Sequence, residues 1–455
     1  VNPASATRPV EALARYVEAH PQVDAYCIAY SGGRDSHVLL HLAAALLARR
    51  TTIRLRALYI DHGLSPDSAL WAAHVRQACQ RLGVPLAVHR VEVRDEGDGP
   101  EAAARAARYG AFDRALDTNE HLLLAQHADD QAETFLLQAL RGSGPDGLAS
   151  MPRRRPFGHG VMGRPLITCP SEAIGEYAEQ HSLNWVEDPS NAEQRFDRNF
   201  LRHEILPLLR KRWPGAVQTL GRSARRSAAA SQILLGVADD DLKAVRLRGT
   251  AQLSVSELKR LPRERAYNAL RLWVRQAGRR LPRLQDLVGV FDELVLARPD
   301  SAGRIGVGDY EFRRHADRLF LLSARQAPLA FVHEWPLPYA PLAIPEIDAR
   351  ITREACTAQG IRLPMDGRIS LRSRVGGEVI KLGEPGFHKA VKKLLQESGV
   401  PPWERERIPL LFVGERLAAV WNIAVASEFR QSPGDEPGAA AHHRSDARGR
   451  RSVGR

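Results

Sequence analysis

A short apolar run, Tyr26-Cys27-Ile28-Ala29-Tyr30, stops at Ser31-Gly32-Gly33-Arg34-Asp35-Ser36, and an apolar helical pattern resumes from Val38. The change of period across two glycines predicts a strand, a tight loop and a helix. A helix that starts at such a loop aims unpaired N–H groups and the positive end of its dipole at it, so an anion there is stabilised without a cationic side chain. Gly32 and Gly33 let the backbone approach that anion, and Ser31 and Ser36 add hydroxyl donors. The plainer alternative is a turn followed by a helix cap at Asp35. No lysine follows the glycines, so the loop is not the Gly-x-x-x-x-Gly-Lys type that grips a γ-phosphate.

The pattern around the loop repeats. A helix over residues 10–20 precedes it, and strands are expected at 53–60, 86–91 and 121–126, separated by helices at 66–82 and 101–116 and followed by one at 130–140. Strands alternating with helices imply an α/β fold, a doubly wound, mostly parallel sheet covered on both faces. In such sheets ligands lie beyond the carboxyl ends of the strands, so the loops at Ser31, Asp61 and Gln126 should meet in one crevice.

The last of these loops reads Gln126-His127-Ala128-Asp129-Asp130-Gln131-Ala132-Glu133-Thr134. Asp130 with Glu133 three residues later fits a capping box. The same stretch carries an imidazole and two adjacent carboxylates, the groups that acid–base chemistry and a metal ion require. His127, Asp129 and Asp130 are the candidates for a general base, and the residues leave the choice among them open. A glycine-rich turn, Arg141-Gly142-Ser143-Gly144, ends the helix.

A chain of 455 residues predicts two or three domains. Its formal net charge of +12, concentrated in the middle and late chain, favours a polyanionic partner such as nucleic acid over mere arginine-rich composition. The four cysteines are far apart and none forms a Cys-x-x-Cys pair, which speaks against a disulfide framework or zinc knuckle and for a reducing, cytoplasmic setting. The longest apolar stretch is too short to span a bilayer, and residues 1–9 have no apolar signal core. Arginines at 263, 265, 271, 275, 279, 280 and 283 punctuate a helical pattern over 234–296, and short alternating runs over 306–322 suggest a β-ribbon. Residues 335–345 are Pro-rich and expected as a linker or extended edge. Near the C-terminus Lys389, Lys392 and Lys393 have helical spacing opposite Val391, Leu394 and Leu395, so one face packs and the other is free to follow phosphates.

Ser31 to Ser36 resembles the PP-loop of ATP pyrophosphatases, adenine-nucleotide α-hydrolase-like enzymes that cleave between the α- and β-phosphates and pass AMP to an oxygen. The resemblance narrows with Asp61-His62-Gly63-Leu64, Glu101 with Arg105 and Arg108-Tyr109, His127 to Thr134, Arg164-Pro165-Leu166, Trp185-Val186-Glu187-Asp188-Pro189-Ser190-Asn191 and Arg198-Asn199-Phe200-Leu201-Arg202. In this order the motifs resemble the tRNA(Ile)-lysidine synthetase family, and the Lys-Lys-Leu and Val-Pro-Pro-Trp stretches near the C-terminus continue the likeness. Glu378 stands where that family's pattern suggests a glycine-aspartate turn.

The resemblance implies adenylation of the wobble cytidine of tRNA(Ile) with a CAU anticodon, then attack of free L-lysine at C2, releasing AMP and pyrophosphate. It implies ATP as co-substrate, held by Ser31, Gly32, Gly33, Arg34, Asp35 and Ser36, and Mg²⁺ on Asp35 and Asp130. Asp35, His127, Asp129 and Asp130 form the expected catalytic set. His62, Arg105, Arg198, Arg202, Lys389, Lys392 and Lys393 are the expected contacts to substrate or tRNA. The implied organisation is a catalytic domain at 20–215, a mainly helical tRNA-contacting domain at 216–325, a small α/β tRNA-binding domain at 360–430 and a disordered tail at 431–455, with a homodimer possible and no membrane association. The rivals are a PP-loop tRNA thiolase and a noncatalytic tRNA-binding relative. The first needs a sulfur-carrying cysteine or an iron–sulfur site, and no cysteine here adjoins a motif.

Overall fold

The computed structural model describes residues 8–47, 52–63, 67–92, 100–187, 196–298, 303–324, 330–356, 360–362, 368–383, 387–430 and 438–445. The chain divides into two compact units, Val1–Val237 and Ala238–Arg455.

The first unit is built on a six-stranded sheet of order β3-β2-β1-β4-β6-β5. Its strands are β1 (Ala25–Ala29), β2 (Arg54–Asp61), β3 (Leu86–Arg90), β4 (His121–Leu123), β5 (Arg154–Phe157) and β6 (Gly160–Gly163). All neighbours are parallel except β5 with β6. β1 is apolar along nearly its whole length because both faces are covered, as a central parallel strand requires. The helices are α1 (Pro9–Glu18), α2 (Arg34–Leu47), α3 (Ser68–Leu82), α4 (Pro100–Ala115), α5 (Ala128–Leu140), α6 (Pro145–Leu148) and α7 (Ser171–Gln180). One core, containing Leu13, Tyr16, Leu39, Leu40, Val75 and Ile174, binds α1, α2, α3 and α7 to one face. A second, with Phe112, Leu116 and Met162, holds α4 to the other. Because β2 and β4 flank β1, the chain reverses direction of winding at β1, and the loops after these three strands lie side by side at that switch point.

The β5–β6 hairpin has no counterpart among the expected strands; it joins the sheet through the parallel pairing of β6 with β4. After α7 come α8 (Asp197–Phe200), a π turn over Leu201–Ile205, α9 (Leu206–Arg212) and the long α10 (Ala216–Val245), in which the first unit ends.

The second unit continues with α11 (Val255–Arg260), α12 (Arg263–Gln276) and α13 (Leu284–Gly289). These accompany an antiparallel sheet of β7 (Leu253–Ser254), β8 (Arg304–Val307), β9 (Tyr310–His315) and β10 (Arg318–Ser323), in the order β7-β10-β9-β8. The expected ribbon is therefore part of a four-stranded sheet. Of the arginines noted above, 263, 265, 279 and 283 are ion-paired to Asp292, Asp241, Asp309 and Asp286.

The C-terminal part is mostly β. It holds a five-stranded antiparallel sheet, β11 (Val332–Glu334), β14 (Ile369–Arg372), β17 (Leu410–Val413), β18 (Arg416–Val420) and β19 (Ala424–Val425). Beside it are a three-stranded sheet of β12 (Leu342–Ile344), β13 (Ala349–Cys356) and β20 (Gly438–Ser445), and a hairpin of β15 (Val379–Leu382) with β16 (Phe387–Ala390). The helix α14 (Val391–Glu397) follows β16.

One expectation is resolved here and two are corrected. Of the two readings of the Pro-rich stretch, the extended edge holds and the linker does not: Leu342–Ile344 is the edge strand of the three-stranded sheet, Trp335 and Tyr339 are buried in the C-terminal core, and the Trp335 indole donates to the Ala340 carbonyl at 2.7 Å. Part of the expected disordered tail, Gly438–Ser445, is a strand that pairs residue by residue with Ala349–Cys356, because backbone groups on a sheet edge bind a strand of unremarkable composition. Lys389 does not share a helix with Lys392 and Lys393; it sits in β16, two residues before α14 begins. Among the described residues no helix is long and apolar enough to cross a membrane.

Candidate active site

The loop after β1 is closed by its own serines. Ser31 N–H donates to Ser36 Oγ at 3.2 Å, the two hydroxyls are 3.0 Å apart, and Ser36 Oγ donates to the Gly33 carbonyl at 2.9 Å. Gly32 has φ +85°, and a β-carbon there would stand 3.1 Å from Val75 Cγ2, so both conformation and space demand glycine. Its carbonyl accepts from Val186 N–H at 3.0 Å, which brings the start of the Trp185 motif to the loop. Asp188 to Asn191 of that motif lie outside the described residues.

α5 begins at Ala128, beyond the carboxyl end of β4 and two residues earlier than expected. His127, with extended backbone, is its N-cap, and Asp130 in the first turn accepts His127 N–H at 2.9 Å. Asp130 is thus the third residue of the cap, not its first, and Glu133 is released from capping to point inward, fully buried.

Around His127 the carboxylates close in. Asp35 Oδ2 is 3.4 Å from Nε2, Asp130 Oδ2 is 3.6 Å from Nε2, and Asp129 Oδ2 is 3.6 Å from Nδ1. Burial alone would push the imidazole down, but Asp130, Asp129 and Asp35 outweigh it and raise its pKa to about 10. The Asp129 N–H donates to His127 Nδ1 at 3.3 Å as part of the helix cap, while Nε2 faces the carboxylates of Asp35 and Asp130. Burial would likewise raise Asp35 and Asp129, yet His127, with Arg34 at Asp35 and the Ser171 amide and Arg210 at Asp129, holds both at about 2.

Arginines complete the cluster. Arg198 donates to Glu133 Oε2 at 2.7 Å and Asp130 Oδ1 at 2.9 Å; Arg202 donates to Glu133 Oε1 at 2.6 Å and to the same Asp130 oxygen at 2.9 Å. Four residues apart, these two side chains leave the same face of α8 and the π turn. Arg210 pairs with Asp129, and with Glu172 at 3.2 Å. Five cations, Arg34, His127, Arg198, Arg202 and Arg210, therefore meet five carboxylates, those of Asp35, Asp129, Asp130, Glu133 and Glu172.

The expected residues thus fall into groups. Ser31 to Ser36, His127, Asp129 and Asp130 come together, and Arg198 and Arg202 join them as partners of the carboxylates. His62 and Arg105 are engaged elsewhere: His62 accepts from Arg108 at 3.2 Å, and Arg105 lies 4.8 Å over the Tyr109 ring on α4. Burial and Arg108 lower the pKa of His62, keeping it neutral. Lys389 is ion-paired with Glu397, whereas Lys392 and Lys393 are exposed on α14 opposite buried Val391, Leu394 and Leu395. Glu133, Arg210 and Ser171 escaped the sequence-based list. Glu133 was read as a cap, and only its spacing from Asp130, matched by that of Arg198 and Arg202, signalled otherwise.

For a divalent cation the two nominated carboxylates differ. Asp130 has both oxygens taken, Oδ1 by two guanidinium groups and Oδ2 by the His127 amide, and does not fit. Asp35 also has a partner on each oxygen, Arg34 Nε on Oδ1 at 2.9 Å and His127 Nε2 3.4 Å from Oδ2, but it is one-third exposed beside the loop, so it is the carboxylate that an Mg²⁺ ion shared with phosphate oxygens could reach. Among the described residues no group of three or more His, Cys, Asp or Glu side chains is arranged to hold a metal.

Comparison with known proteins gives the same outline. A PP-loop domain model matches residues 7–209, a TilS substrate binding domain model residues 253–320 and a TilS substrate C-terminal domain model residues 369–440. The tRNA(Ile)-lysidine synthase of Alkalilimnicola ehrlichii is 43% identical over 433 residues, covering 93% of this chain and 95% of the relative. Those of Coxiella burnetii and Serratia proteamaculans are 38% and 37% identical, covering 94% and 93% of this chain and 95% and 96% of the relatives. A glycine loop at the switch point of a parallel sheet, a buried acid–base cluster beside it, and this identity along nearly the whole length have one common explanation: the chain belongs to the tRNA(Ile)-lysidine synthase family.

Proposed function

We propose that the crevice adenylates the wobble cytidine of tRNA(Ile) bearing a CAU anticodon and then joins free L-lysine to the activated carbon. Cytidine O2 attacks the α-phosphorus of ATP and pyrophosphate leaves; the lysine ε-amine then attacks C2 and AMP departs. The observation that carries this is the juxtaposition of the Ser31–Ser36 loop with a buried imidazole whose Nε2 faces Asp35 and Asp130. The backbone of the loop receives the phosphates, and the α2 dipole favours their charge. Mg²⁺, when bound, neutralises phosphate charge and orients the departing pyrophosphate, with Asp35 as its ligand from this chain.

His127 acts as a cation and proton donor rather than as the base. Asp129 and Asp130 are the fixed anions that keep the proton on its ring, and Asp35 orients Nε2 toward the loop, where negative charge shifts as each phosphate bond breaks. Asp129, held at about 2, is a weak base, so the attacking amine sheds its proton outside the cluster. Lys392 and Lys393 follow tRNA phosphates and add affinity.

The test is release of pyrophosphate and AMP from ATP. Release should require tRNA for the first product and lysine for the second, and Asp35→Ala should abolish both. A thiolase would ignore lysine, a binding protein would release nothing, and ADP as product would overturn the assignment.

A further inference from the structure

Arg34 occupies the one position of the loop where the motif asks for nothing, and its side chain is spoken for. Nε donates to Asp35 Oδ1 at 2.9 Å and Nη2 donates to Ser171 Oγ at 2.8 Å. Ser171, the first residue of α7, also donates its amide to Asp129 Oδ2 at 3.0 Å. Asp129 and Asp35 both face His127. The contacts close a ring, Asp35–Arg34–Ser171–Asp129–His127–Asp35, joining the loop after β1 to the starts of α5 and α7. Gly175, one turn along α7, lies against it: a β-carbon there would stand 3.7 Å from Arg34 Nη1, an ordinary contact, so only a larger side chain would crowd the guanidinium. A planar guanidinium spans two acceptors at fixed geometry, which an ammonium cannot do.

We infer that Arg34 is a positioning residue for Asp35, acting through Ser171 as a brace between the loop and α7, and not a phosphate ligand. This rests on the placement of Asp35 in the site proposed above. Without the brace Asp35 keeps only its contact with His127 Nε2, 3.4 Å from Oδ2, and one contact does not fix the plane of the carboxylate; a misplacement of about 1 Å costs on the order of a hundredfold in rate.

The experiment uses the full chain with ATP, tRNA and lysine, measuring kcat and the KM for ATP. Arg34→Ala should lower kcat about a hundredfold with ATP KM little changed, since the group holds a catalytic carboxylate rather than substrate. Arg34→Lys should not restore kcat. Ser171→Ala, which keeps the amide to Asp129, should lower kcat about tenfold as one charge-assisted hydrogen bond is lost, and the double variant should equal Arg34→Ala. Gly175→Leu, which crowds the guanidinium without touching the loop, should reproduce the loss, whereas Gly175→Ala should not; thermal melting of each variant separates lost positioning from lost fold. Wild-type kcat in Arg34→Lys, a loss confined to the KM for ATP, or additive losses in the double variant would overturn the inference. If Asp35→Ala keeps its activity in the same assay, it is the site assignment that fails; if Asp35→Ala is dead while the Arg34 variants are normal, only the brace fails.

Discussion

The crevice and α14 both carry clustered charge, and they use it in opposite ways. In the crevice each carboxylate is met by a guanidinium or imidazolium, and Glu133 is wholly buried between two arginines. On α14 the exposed Lys392 and Lys393 face water over a buried apolar stripe. Charges buried together fix geometry at a desolvation cost and are sensitive to the loss of any member. Charges on a surface are screened, individually weak, and useful chiefly to a polyanion that releases counterions.

The contrast can be broken by mutation, beginning in the crevice. Glu133→Ala leaves Arg198 and Arg202 without their buried partner and should destabilise the first unit by about 3–5 kcal/mol, read as a fall in its denaturant midpoint. A loss under 1 kcal/mol would mean the cluster is solvated like the helix. Gly32→Ala forces an L-residue to φ +85° against Val75 and should cost about 1–3 kcal/mol of loop strain, seen as weaker ATP binding by calorimetry with the C-terminal unit unaffected.

Titration sharpens the same comparison. A group whose folded pKa is raised binds its proton more tightly when folded, so its contribution is complete below the unfolded value, about 6.5 for histidine, and disappears as pH rises through the folded one. His127 is raised to about 10, so wild-type stability should decline between pH 7 and 10 more steeply than that of His127→Gln. Parallel curves would show that the imidazolium is not held by its carboxylates. The smallest effect belongs to α14. Lys392→Ala and Lys393→Ala should each reduce the salt slope of tRNA binding by about one, alike for cognate and noncognate tRNA. A loss confined to the cognate would make α14 a reader of identity.

Much of this was legible from the chain alone. The Ser31–Ser36 loop, the alternation of strands and helices, and the gathering of Ser31 and Gln126 loops follow from local pattern plus the parallel-sheet rule. The places where expectation and structure part share a cause. Glu133 fits a capping box within one turn, but the partners that turn it inward, Arg198 and Arg202, come some 65 to 69 residues later. Trp335 looks like linker because its neighbours are prolines, and it is buried by strands on either side of it in a fold built from distant segments. Lys389 matches a helical spacing, yet pairing of β16 with β15 claims its backbone first.

The sequence by itself determined the strand–loop–helix at Ser31–Ser36, because φ preferences, hydroxyl donors and a helix start are properties of neighbouring residues. Only the tertiary structure decided which charges act and which are held, since that depends on desolvation and on partners supplied by remote elements. His127 is the clearest case: as a free residue it would be half-titrated near neutrality, and three carboxylates brought to within 3.6 Å raise its pKa against the effect of burial.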